Sequence, residues 1–223
     1  MIVFPGPVEA LVTLPVSPDG AGIERVLKLE RAVRSALPEV AETVPAFNRL
    51  LIIGDARSWD PERLREEVTR LVPGAMSAEM TGHTSAPLVD LPACYDPDLA
   101  PDLLELAAAA DLDPDAVAQI HSGQEYRVLA TGFAPGFAYL GDLDPRISMP
   151  RRASPRPRVE TGSIGIADRR TGVYPSAGPG GWQIVGRVPP TLFADAADRI
   201  ARFEPGARVA FRPIDLASYE AEA

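Results

Sequence analysis

Thr-Gly-Phe-Ala-Pro-Gly-Phe-Ala-Tyr-Leu (131–140) opens the stretch whose reading decides this chain. Pro-Arg-Arg-Ala-Ser-Pro-Arg-Pro-Arg (150–158), Gly-Ser-Ile-Gly-Ile-Ala (162–167) and Gly-Pro-Gly-Gly-Trp-Gln-Ile-Val-Gly-Arg (178–187) complete it. Glycine lets backbone pass close to a ligand or take positive φ, and proline stiffens the turns between strands. Aromatic faces and guanidinium groups supply stacking surfaces and anion contacts. The mixture predicts a shaped pocket on a β scaffold rather than plain core packing.

Outward from that stretch, residues 125–133, 162–167, 181–187 and 207–214 read as short strands broken by tight turns. Such spacing predicts a barrel or sandwich, and the pattern alone says only mostly β. Two helices lead into it. Leu99, Leu103, Leu106 and Ala110 line one, and Asp113-Pro114 starts another that ends near His121. Further upstream, 8–14 reads as a strand and Ile23, Val26, Leu27, Val33 and Leu37 as one helix face. Residues 40–44 and 49–53 read as strands joined near Pro45. A helix then starts at Asp60-Pro61-Glu62 with apolar Leu64, Val68 and Leu71, and 73–87 is loop-like. Residues 88–95 resume an extended pattern. The order βαββα(β) predicts an open-faced sandwich over 1–85, and the pattern beyond it a mostly β domain with two leading helices over 86–223, so the chain reads as α+β.

Composition narrows the function classes. Net charge is −9 and the pI about 4.8, which disfavours nucleic acid and anionic membranes as partners. The arginines at 151–158 stand out against that background. No apolar run approaches a bilayer span, and the first residues have no basic segment and are broken by Pro5 and Pro7, so the chain reads as cytoplasmic. One cysteine, Cys94, allows neither an intramolecular disulfide nor a cysteine zinc cluster, and two distant histidines give no transition-metal spacing.

Each candidate residue has an ordinary reading beside the functional one. Arg152, Arg156 and Arg158 alternate in a non-helical segment and can share a face toward carboxylate or phosphate, or else pair with surplus surface carboxylates. Phe133, Phe137 and Tyr139 alternate, so an extended strand makes one face aromatic; core packing accounts for two of the rings, and Tyr139 is the better pocket residue. Gly180-Gly181 before Trp182 suits either backbone N–H donation to an oxyanion or a hairpin turn. Ser163 and Thr171, flanked by glycines, reach a ligand or bond within their turns. His121 sits where a helix ends and suits its last carbonyls and the dipole. The Gly132–Gly141 segment lacks both a Walker ending and dinucleotide spacing, and no nucleophile elbow is present.

The motifs Gly132-Phe-Ala-Pro-Gly-Phe-Ala-Tyr-Leu-Gly141, Pro150-Arg151-Arg152, Pro155-Arg156, Gly162-Ser163, Thr171-Gly-Val-Tyr-Pro175 and Pro179-Gly-Gly-Trp182 resemble the 5-oxoprolinase B-subunit family. That family is also called allophanate hydrolase subunit 1 and includes a sporulation-kinase inhibitor. Weaker similarity at Val44-Pro-Ala-Phe-Asn48 and Ile120-His121-Ser122 extends it over nearly the whole chain. The resemblance implies a cyclophilin-like barrel and a subunit of an ATP-dependent amidohydrolase that opens 5-oxoproline to glutamate. ATP is needed because an unstrained lactam is a poor electrophile until its oxygen becomes a leaving group. The implied partner is an allophanate hydrolase subunit 2 or a protein like the 5-oxoprolinase C-subunit, with a third barrel protein as a further candidate. ATP with Mg is expected at a composite site.

The resemblance further implies His121 and Arg156 as catalytic candidates. It implies a pocket of Phe133, Pro135, Gly136, Tyr139, Arg151, Arg152, Ser163, Arg170, Thr171, Tyr174, Gly180, Gly181 and Trp182. Alternatives are an allophanate or urea-carboxylase type of amide processing, and a non-catalytic module that inhibits a histidine kinase. Two departures stand out. The chain has Val159-Glu160-Thr161 where the family reads Val-Pro-Ala, and Asp168-Arg169-Arg170 precedes Thr171-Gly172 where the family places an amide. Arg170 at a pocket edge favours an anionic substrate group, unless Asp168 or Glu160 neutralises it first.

Overall fold

The computed structural model describes residues 1–77, 88–195 and 203–223. The chain divides into two compact units, Met1–Ser85 and Ala86–Ala223.

In the first unit β1 (Ile2–Gly6), β2 (Glu9–Thr13), β3 (Val40–Ala46) and β4 (Arg49–Gly54) form an antiparallel sheet in the order β1-β2-β4-β3. Helices α1 (Gly20–Ala36) and α2 (Pro61–Ser77) pack together, with α1 on β3 and β4. Asp19 and Asp60 start these helices by accepting backbone N–H bonds from Gly22 and from Glu62 and Arg63. Alternation along β2 and β4 buries Ala10, Val12, Leu50 and Ile52, while Ile23, Val26, Leu29 and Val33 face inward from α1. The architecture is the expected open-faced sandwich with an extra first strand. Both edge strands contain a proline, Pro5 in β1 and Pro45 in β3, as suits edges that lack an outer partner. The turn expected near Pro45 lies instead at Phe47-Asn48, where Phe47 has φ 55. Helix α2 also runs through Pro73 to Ser77 instead of ending there, because Ala75 is buried and one lost backbone bond does not outweigh that packing. The rest of the expected 73–87 loop lies outside the described residues.

The second unit is a closed barrel. It contains β5 (Leu88–Cys94), β6 (Glu125–Thr131), β7 (Ala138–Gly141), β9 (Ser163–Ala167), β10 (Arg170–Val173), β12 (Gln183–Arg187) and β13 (Arg208–Ile214). Their order is β10-β7-β6-β13-β5-β12-β9, closed by β9 on β10. Every pair is antiparallel except β5 with β13. A two-stranded arm, β8 (Arg156–Val159) with β11 (Gly178–Gly180), stands beside it. Helix α3 (Leu103–Ala109) contacts β12, α4 (Pro114–Ser122) contacts β13, and α5 (Leu216–Glu222) contacts β5. Leu91, Val128, Leu140, Ile164, Ile166, Val185, Val209 and Phe211 fill the barrel. The extended segment 88–95 supplies β5, which lies between β13 and β12 in the barrel.

Candidate functional site

Only residues 138–141 of the aromatic motif are a strand, so the alternation of Phe133, Phe137 and Tyr139 does not make a strand face. The segment before β7 turns sharply, with φ 145 at Gly132, 75 at Phe133 and 86 at Gly136. That turn folds Phe133 back over Phe137, at 5.4 Å, and Tyr174, at 6.2 Å. A bulky residue at φ 75 is strained, and Phe133 is also 64% exposed, so it sits as a rim over buried rings. Below it, Phe137 meets Tyr139, Tyr174 and Trp182 at 5.1–5.5 Å, mostly edge to face. The Arg151 guanidinium lies 6.0 Å from the Trp182 ring.

These groups enclose a small cavity of about 60 Å³, lined by Phe133, Phe137, Tyr139, Arg151, Tyr174, Gly180, Gly181 and Trp182. Gly180 belongs to strand β11, and a Cβ there would stand 2.5 Å from the Tyr174 hydroxyl. Its glycine therefore serves close packing, not a hairpin turn. Gly181 accepts the Arg152 N–H at 2.8 Å. Burial pushes the Tyr174 hydroxyl above its ordinary pKa.

The arginines of 151–158 do not share one face. Arg151 goes to Trp182, and Arg158 pairs with exposed Glu160 at 2.7 Å. Arg152 and Arg156 converge on Asp102, at 2.9 and 2.6 Å on the same carboxylate oxygen. Asp102 is only 2% exposed, and its other oxygen accepts the Ile184 N–H at 2.6 Å. It precedes α3 yet makes no side-chain cap there. Sequence reasoning missed this residue because an Asp before a leucine-rich helix reads as a routine cap. The signal for it was four arginines in an acidic chain, which need a buried counter-charge once any of them is enclosed. Gln183, also missed, is buried with its amide donating to the Pro150 carbonyl at 2.8 Å.

Other expected site residues lie elsewhere. His121 projects from α4 into the barrel and is 0% exposed. Its Nε2 is 2.8 Å from Thr171 Oγ1 and its Nδ1 is 2.7 Å from the Tyr95 hydroxyl. Thr171 donates to the Gly165 carbonyl at 3.0 Å. The hydroxyl proton being spent there, Thr171 accepts from Nε2–H, and Nδ1 accepts from Tyr95. The chain of bonds thus holds one neutral tautomer, and burial drives the imidazole pKa to about 3. His121 and Thr171 are brought together, but not to the aromatic cavity. Arg170 is apart too. It bonds to Asp142 at 3.3 Å and to the Arg169 carbonyl at 2.9 Å, so its ion pair is with Asp142 and not with Asp168, the expected partner.

Pro135 and Gly136 line an open groove of about 650 Å³ with Phe133, Phe203 and Glu204. Arg156 and Ser163 line a third cavity beside Arg187. Cys94 is buried, which raises its thiol pKa. Among the described residues no three His, Cys, Asp or Glu side chains group closely enough to hold a metal, and no helix is long and apolar enough to cross a membrane.

A closed barrel with a two-stranded arm and an aromatic, arginine-edged cavity has counterparts among known proteins. Residues 2–203 match the family model described as "Carboxyltransferase domain, subdomain C and D", and the chain belongs to that family. It is 43% identical to the 5-oxoprolinase B-subunit of Bacillus subtilis, over 82% of this chain and 80% of that protein. It is 34% identical to the 5-oxoprolinase B-subunit of Escherichia coli O157:H7, over 92% and 93%. Among solved structures, TTHA0988 is 28% identical with TM-score 0.73, covering 92% of this chain; this chain spans 39% of that one. The Kluyveromyces lactis urea amidolyase, at 18% identity and TM-score 0.72, shares the fold over 99% of this chain and 15% of its own.

Proposed function

We propose that this chain is the B-type component of an ATP-dependent 5-oxoprolinase, opening 5-oxoproline to L-glutamate together with a C-type partner. The observation that carries the reading is the alignment with two proteins named as B-subunits of 5-oxoprolinase over most of both lengths. The cavity chemistry agrees with a role in a shared site. Phe133, Tyr139, Tyr174 and Trp182 offer apolar faces to a small ring, and Arg151 offers a guanidinium to its carboxylate.

The residues of this chain do not fit a whole nucleotide. The aromatic cavity, at about 60 Å³, lies far below the ~300–1,000 Å³ that encloses a drug-sized ligand. The open groove is large enough but is lined by Glu204 and, among its described lining residues, no cation. His121 is enclosed and Cys94 buried, so neither meets a substrate from solution. ATP and its Mg therefore belong to a site that the partner completes, and within it this chain contributes the aromatic wall, the Arg151 edge and exclusion of water.

Purified alone, the chain is expected to show no 5-oxoproline-dependent phosphate release, and the complex with its partners is expected to show turnover. Turnover by the isolated chain overturns the shared site, and a complex inert toward 5-oxoproline overturns the substrate. Trp182→Ala in the complex is expected to raise KM strongly; an unchanged KM removes the aromatic cavity from the reading.

A further inference from the structure

The geometry points to a second ligand site in this chain: an oxyanion site of the phosphate class, distinct from the aromatic cavity. It is the cavity of about 210 Å³ between the turn before α3, strand β8 and the end of β12. Arg156, Arg158 and Arg187 line it, with Ser163 on its wall and the carboxylates of Asp98 and Glu160 at its edge.

The donors are the first argument. Arg156 spends Nη2 on Asp102, but its Nη1 is buried with no hydrogen-bond partner. Arg187 Nε is likewise buried and unpartnered, and no ion pair of Arg187 is formed among the described residues. Buried N–H donors left unmade are costly, and a tetrahedral oxyanion brings several acceptor lone pairs to one point. Both belong to guanidiniums that line the same cavity, and an anion that draws the two side chains toward it satisfies them together.

Charge and size give the class. Within a chain of net charge −9, three guanidiniums meet two carboxylates here, and Arg158 already engages Glu160 while Arg152 shares Asp102 with Arg156. The balance at the cavity is positive. Its volume lies below the ~300–1,000 Å³ that encloses a drug-sized ligand. It therefore suits free phosphate, or the terminal phosphoryl of a nucleotide whose remainder stays outside. This holds whichever amide the complex processes.

The test uses the whole chain, calorimetry at constant ionic strength, and arginine Nε–H NMR, with inorganic phosphate, ADP, ATP and acetate as separate probes. Saturable phosphate binding is expected, with the Arg187 Nε–H resonance moving and Arg187→Gln weakening affinity at least tenfold. Arg158→Gln, which frees Glu160 to repel the ligand, is expected to weaken it as well and serves if Arg187→Gln does not fold. ATP that competes with phosphate identifies the nucleotide source; phosphate binding without nucleotide binding identifies the free ion. The proposal is overturned by no phosphate binding below a Kd of about 10 mM. It is equally overturned by undiminished binding in a folded Arg187→Gln protein, or by acetate binding as well as phosphate does.

Discussion

Replacing Asp102 with alanine tests whether one buried carboxylate organises the segment beside the aromatic cavity. Three hydrogen bonds end on it, from Arg152 at 2.9 Å, Arg156 at 2.6 Å and Ile184 N–H at 2.6 Å. Removing one partner of a buried ion pair costs about 3–5 kcal/mol. The two guanidinium side chains are 32% and 25% exposed, so they regain water once released, while the Ile184 N–H stays buried. The expected loss lies at the low end, about 3 kcal/mol, or roughly 6–12 °C in Tm for a chain of this length. Asp102→Asn is expected to lose nearly as much, since its NH2 faces guanidinium donors. Thermal unfolding followed by fluorescence in a Trp59→Phe background reads Trp182, the other of the two tryptophans, whose preceding Gly181 is bonded to Arg152. Glu160→Ala, which breaks the exposed Arg158 pair, is the control and is expected to leave Tm unchanged. A Tm for Asp102→Ala equal to that control refutes the organising role.

His121 lowers acid tolerance. Its folded pKa is about 3 against an unfolded 6.5, so the unfolded chain binds the extra proton between these values. Its stability contribution is present above pH 6.5 and is lost toward pH 3, at up to about 1.4 kcal/mol per pH unit. Histidine NMR is expected to show one of the two imidazoles silent from pH 8 to 5; titration of both near 6.5 contradicts the enclosed tautomer. Gly180→Ala is expected to cost about 1–3 kcal/mol through overlap with Tyr174, with partial recovery in the Gly180→Ala, Tyr174→Phe double variant, measured by denaturation midpoints. Arg170→Gln is expected to lower Tm without changing the complex's discrimination between 5-oxoproline and its uncharged amide analogue, because Arg170 is committed to Asp142 and the Arg169 carbonyl.

Elements with strong local signals were legible. Asp19, Asp60 and Asp113 cap helices, and the apolar faces behind them drive burial, so α1, α2 and α4 follow from the chain alone. Strands β7, β8, β10 and β11 have three or four residues each and were not legible. At that length, pairing with a distant strand determines the conformation and periodicity carries little information. The pocket residues Tyr139, Arg151, Tyr174 and Trp182 were readable as chemistry. Their convergence was not, because it depends on the positive-φ turn at Gly132–Phe133 and on Asp102 dividing the arginines into separate groups. Arg187 gave no signal at all, being one basic residue at the end of an apolar strand.

The parallel pairing of β5 with β13 has a consequence for how the protein is made. Its side chains Asp90 and Arg212 bond across a separation of 122 residues. The ribosome delivers β5 long before either neighbour, β12 or β13, so Leu88–Cys94 emerges with both edges unpaired while α3, α4 and the remaining strands are still being translated. The first unit, whose strand neighbours lie much closer in sequence, can fold during that interval. Barrel closure is then a late, non-local event, and a nascent chain stalled before Arg208 presents an open β edge to chaperones and to other chains.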